Sequence, residues 1–68
     1  MPTHSIIWLS RTTEPGMLET ITLAIAGARY EYDLLPYAAD NAEHIAKRSM
    51  GKALAYVKKQ AKSWRKLP

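Results

Sequence analysis

From residue 19 to residue 26 the chain alternates, with Ile21, Leu23 and Ile25 on one side and Thr20, Thr22 and Ala24 on the other. That period of two predicts a half-buried strand. Gly27 breaks the pattern, and beyond it Tyr30, Tyr32 and Leu34 alternate with Arg29, Glu31 and Asp33. A two-residue hairpin loop at Ala26 and Gly27 would set Ile25 opposite Ala28, Leu23 opposite Tyr30 and Ile21 opposite Tyr32. Every apolar side chain then falls on one face, and a slip of one residue would destroy that agreement. Upstream, Ser5, Ile6, Ile7, Trp8, Leu9 and Ser10 form a short apolar run rich in β-branched residues. This is read as the first strand, followed by a loop over residues 11–16 marked by Pro15 and Gly16.

Pro36 ends the third strand and suits the first turn of a helix that runs to about Arg48. Asp40, with Glu43 three residues on, is a second candidate start resembling a capping box. Ser49 is placed to N-cap a second helix, its hydroxyl accepting from a free N–H of the following turn, and Gly51 loosens the joint. In that helix Met50, Leu54, Val57, Ala61 and Trp64 recur at spacings of four and three, a stripe that can lie on the sheet with Trp64 in the core. At about 100° per residue, Lys52, Lys58, Lys59, Lys62, Arg65 and Lys66 fill an adjoining arc of roughly 140°, with Tyr56 near its far edge. The predicted class is α+β: a three-stranded antiparallel sheet followed by two helices packed on one face, in the order βββαα. Residues 1–68 form one small domain, with 65–68 as a frayed tail.

A chain of 68 residues buries only about 60% of the surface its unfolded form exposes, so the core must be thin. With no cysteine, packing or a partner chain must supply the stability, and a reducing compartment fits. No apolar run approaches the roughly 18 residues of a membrane span, and the N-terminus lacks the features of a signal peptide. A cytoplasmic protein without membrane contact is expected. Net charge is +4, but residues 1–43 hold two basic and six acidic side chains, whereas residues 44–68 hold eight basic and none acidic. Such a split concentrates positive potential on one face.

The order of the segments resembles the KTSC domain, a small module at the C-terminus of some lysyl-tRNA synthetases and also a stand-alone bacterial protein. Its marks read here as Tyr30-Glu31-Tyr32, then Pro36, then a helix and Ser49-Met50-Gly51-Lys52. The likeness covers about residues 18–59 and departs at Ala53, Leu54 and Ala55, where the family pattern has aromatic and Asn-like positions. What the resemblance implies is a small sheet-plus-helix fold and RNA binding as the suggested role.

Lysine and arginine neutralise phosphates without reading sequence, and a merely solvated helix face would mix both signs of charge. The expected function is therefore a non-enzymatic nucleic-acid-binding domain, RNA before DNA. Lys52, Lys58, Lys59, Lys62, Arg65 and Lys66 would contact phosphates, Lys47 and Arg48 would extend the track, and Tyr56 would stack or cover the rim of the core. Tyr30 and Tyr32 share the apolar face and are assigned to the core. The alternative is a protein-interaction domain meeting an acidic surface, such as a phage or mobile-element inhibitor of a host complex. A homodimer through the edge at residues 5–10 is compatible with either.

No catalytic residue, cofactor or metal is expected. His44 follows Asp40 by one helical turn, but no nucleophile accompanies them, and His4 lies near the terminus. Gly51-Lys52 lacks the upstream glycine and following Ser or Thr of a phosphate-binding P-loop. Two histidines without cysteine give no ligand spacing for a metal.

Overall fold

The computed structural model describes residues 5–13 and 15–68; His4 and Glu14 lie outside the described residues. Six elements follow one another: β1 (Ile6–Thr13), β2 (Glu19–Ile25), β3 (Ala28–Leu34), α1 (Pro36–Ala46), α2 (Met50–Gln60) and β4 (Ser63–Lys66). The strands form one antiparallel sheet in the order β1-β2-β3-β4. The class is α+β as expected, but the order is βββααβ and the sheet has a fourth strand.

The β2–β3 hairpin has the register that the alternation dictates, Ile25 opposite Ala28, Leu23 opposite Tyr30 and Ile21 opposite Tyr32. Its loop has positive φ at both central residues, +50° at Ala26 and +86° at Gly27, as a type I′ turn requires. Ile21, Leu23, Tyr32 and Leu34 meet Ala38, Ala39 and Ala42 of α1 and Val57 of α2 in one buried cluster. Both helices therefore lie on the same face of the sheet. Three alanines on α1 keep that helix close to its neighbours, which suits so thin a core.

β1 runs past Ser10, where the sequence predicted a loop, because Arg11, Thr12 and Thr13 find partners in Ile21, Thr20 and Glu19. The register shifts between Trp8 and Ser10, leaving Leu9 as the extra residue of a bulge. The bulge changes which face later residues occupy. Trp8 opposes Leu23 and Arg11 opposes Ile21, so both point to the helix side although they stand an odd three positions apart. Arg11 can thus reach Asp40 and Glu43 of α1 at 2.8 and 2.7 Å while holding Glu19 at 2.8 Å.

α1 starts at Pro36 and ends at Ala46 rather than Arg48; Asp40 lies inside it and starts no helix. Ser49 caps α2 as predicted, its Oγ accepting from the Lys52 N–H at 3.2 Å. The second helix stops at Gln60, and Ala61 turns to extended backbone with ψ 134°. Lys62 N–H then donates to the Asp33 carbonyl at 2.7 Å and Leu67 N–H to the Arg29 carbonyl at 2.8 Å, bracketing β4 against β3. The predicted stripe therefore breaks before Trp64, and the residues read as a frayed tail from Arg65 on enter or adjoin the sheet. Pairing satisfies the backbone groups that an uncovered β3 would leave at a sheet edge.

Candidate nucleic-acid interface

Strand pairing decides what Arg65 does. Its register partner is Glu31, and Asp33 lies one pair along the same polar face. The guanidinium donates to Glu31 at 2.6 Å and to Asp33 at 2.7 and 3.3 Å. Asp33 also accepts from Thr20 Oγ1 at 2.7 Å and Ser63 Oγ at 2.8 Å. The arginine, opposed by burial and helped by the two hydroxyls, holds the Asp33 carboxyl down at about 2. Arg65 is correspondingly pushed up, by Asp33 first and then Glu31. It belongs to an ion-pair network on the sheet face away from the helices, not to a basic helical arc.

Arg11 gathers the other acids. Glu19 is held below the usual carboxylate range first by the Thr13 hydroxyl and then by Arg11, while Arg11 is pushed up, chiefly by Glu19 and Asp40. Asp40 thus turns to Arg11 and is not the partner of His44.

Among the described residues, Arg11 and Arg65 make every ion pair, and between them they take Glu19, Glu31, Asp33, Asp40 and Glu43, which are all the acids there. Of the ten lysines and arginines in the chain, the other eight have no acidic partner among these residues.

One of those cations, Arg29, is exposed on β3; the other seven occupy three places. Lys47 caps the end of α1, and Arg48 follows it in the joint. Arg48, with His44, Ser49, Lys52, Asn41 and Tyr56, lines a groove of about 740 Å³ between α1 and α2. There the Tyr56 hydroxyl accepts from Asn41 Nδ2 at 3.0 Å while the ring packs against the core, so Tyr56 both walls the groove and covers the core rim. Lys58 and Lys59 are exposed in the last turn of α2. Lys62 and Lys66, placed by the sequence on a helix, stand instead in the connection to β4 and on β4 itself.

Local chemistry explains some of these charges. Lys47 sits at a helix C-terminus and Lys58 and Lys59 in a last helical turn, where cations complement the helix dipole. Lys52 has no such account. It is the third residue of α2 after the Ser49 cap, where the dipole favours an acid and a capping box would place Glu. The first turn of α2 contains no acid.

A second recess, of about 410 Å³, was not visible to sequence reasoning. Ile25, Tyr30, Tyr32, Lys58, Ala61 and Trp64 line it. Trp64, predicted as core, is 62% exposed, because on β4 it projects over Tyr30 and Tyr32 at the rim of the sheet. The polar-apolar-polar run Ser63-Trp64-Arg65 was the available signal, but three residues are too few to separate a strand from the end of a helical stripe.

No family model, curated protein or solved structure matches the chain. The resemblance to the KTSC domain rests on its quoted residues alone. Among the described residues no helix is long and apolar enough to cross a membrane.

Proposed function

We propose that the chain is a non-enzymatic nucleic-acid-binding domain, for RNA before DNA. Its surface is centred on the groove between α1 and α2 and continues over the outer side of α2. Arg48 and Lys52 contact phosphates at the groove, Lys47 and Lys59 extend the track, and Tyr56 forms its aromatic wall. Lys58, Lys62 and Lys66 add charge on the β4 side. Arg65 leaves the set because its guanidinium is already held by Glu31 and Asp33.

The observation that carries this reading is the segregation of charge. Two arginines consume every acid among the described residues, which leaves eight cations, seven of them from Lys47 onward, without an acidic partner among those residues. Lys52 at the wrong end of its helix for the dipole supports it further, since a phosphate bound there would reverse an unfavourable local field. The preference for RNA draws on the KTSC-like order of Tyr30-Glu31-Tyr32, Pro36 and Ser49-Met50-Gly51-Lys52. The deciding measurement is affinity for short RNA and DNA strands at several salt concentrations. Binding should weaken steeply with salt; no binding at low salt would remove the reading.

A second reading, a protein-interaction domain, is favoured by one feature. β1 is an edge strand with Ile7 41% and Leu9 46% exposed, a surface that a partner strand or an apolar patch could cover. A partner retained in a pull-down after nuclease treatment would favour this reading over the first.

A further inference from the structure

Among the described residues Trp64 is the largest side chain left in the open, at 62% exposure. Its ring centroid lies 6.2 Å from that of Tyr30 and 6.5 Å from that of Tyr32, and the Tyr32 ring is inclined to it by only 28°. With Ile25, Ala61 and Lys58 these rings line the recess of about 410 Å³ beside the end of α2. The register adds a second cation, for Lys66 stands opposite Tyr30 and so faces the same side of the sheet as Trp64. Neither lysine has an acidic partner among the described residues.

Packing accounts for only one side of the indole. Trp64 stands opposite Tyr32 and helps to cover it, yet 62% of the tryptophan remains exposed. An edge strand is protected by lysine or arginine alone and has no need of an exposed indole. A flat aromatic wall between uncompensated cations suits a polymer that carries planar rings at intervals along an anionic backbone. An acidic peptide would satisfy the lysines and leave the wall unused. A duplex would satisfy the lysines too, but its bases are stacked on one another and present no free ring face.

We propose that this recess is a base-stacking subsite for single-stranded nucleic acid. One base lies against Trp64, and Lys58 and Lys66 hold the neighbouring phosphates. The subsite rests on the nucleic-acid reading above and adds to it the strand state of the ligand and a contact that the helix groove does not make.

The chain has two tryptophans, so a Trp8→Phe variant leaves Trp64 as the sole indole reporter. Its emission is followed during titration with a short oligouridylate, with duplex RNA of the same length and with polyglutamate, all at low salt. Affinity is measured in parallel for Trp64→Ala and Trp64→Phe, with thermal melts to confirm folding. The expected result is quenching by oligouridylate alone, with at least about a fivefold loss of affinity in Trp64→Ala and a smaller loss in Trp64→Phe. Quenching in the Trp8→Phe chain requires no change at Trp64, so the test survives a Trp64→Ala variant that fails to fold. Oligouridylate that binds without moving the Trp64 emission, or that binds Trp64→Ala as tightly as the parent, overturns the subsite and leaves the nucleic-acid reading intact. Equal quenching by duplex or polyglutamate overturns it as well. Failure of the parent chain to bind any nucleic acid overturns both.

Discussion

Asp33 lies on the sheet face that no helix covers, yet its carboxylate is largely shielded by Thr20, Ser63 and Arg65. Its folded value of about 2 lies below the ordinary 3.8, so the charged form is the one the fold favours. For a depressed acid the stabilisation is complete above the unfolded value and disappears as pH falls from about 3.8 towards about 2. Asp33→Asn should therefore cost about 2 kcal/mol at neutral pH, and the gap from the parent should close near the acid limit. Urea unfolding at neutral and acid pH reads both. At the hairpin, Ala26 holds φ +50°, where an L-residue with a Cβ is strained and asparagine is tolerated. Ala26→Asn should raise stability by about 1 kcal/mol in the same assay. The hairpin was legible from alternation and a glycine. The pairing of Arg65 with Glu31 and Asp33 was not, because more than thirty residues separate these groups and only β3–β4 pairing joins them.

Helix α2 shows what an element can and cannot declare by itself. Its start was legible because a Ser49 cap is a local bond between neighbours in sequence. Its end was not, since the four-three spacing continues by arithmetic to Trp64 while the chain leaves the helix to pair with β3. A chain ending at Gln60 should lose its cooperative thermal transition, for it strips Arg65 from two acids and uncovers the β3 edge. Gly51 lies in the first turn of α2, and an added Cβ would meet nothing nearer than Ser49 Oγ at 3.9 Å. The sequence suggested a loose joint there; the structure has an ordinary helical turn. Lys52→Glu completes a capping box with Ser49 and should stabilise the fold by a few tenths of a kcal/mol while weakening RNA binding. Stability and affinity moving in opposite directions would mark Lys52 as kept for a ligand, whereas unchanged affinity would count against the groove.

At the scale of the molecule, the acids among the described residues are drawn to two poles, around Arg11 on the helix side and around Arg65 on the opposite face. Of the remaining cations Arg29 stands on β3, and the other seven lie along the joint, α2 and β4 with the connection before it. If about four of them meet phosphates of a single strand, log affinity against log salt should slope at about −3. Reversing Arg48 should lower that slope, and Arg65→Gln should leave it unchanged while lowering the melting temperature. An Arg65→Gln chain that loses slope as Arg48→Glu does would return Arg65 to the interface and contradict its assignment to the sheet.

The sequence alone determined what depends on neighbours along the chain. It set the register of the β2–β3 hairpin, the Ser49 cap and the imbalance of charge between the two halves, and it offered Pro36 as one of two starts for α1. These follow from alternation, backbone geometry and counting. Tertiary structure decided which cations are consumed and which stay free. It carried residues 63–66 to the β3 edge, where backbone pairing outweighs the continuation of a helical stripe, and it turned Arg11 towards α1 through a one-residue bulge. Opposite charges cancel by distance in space, and the charge map of this protein existed only once the strands were paired.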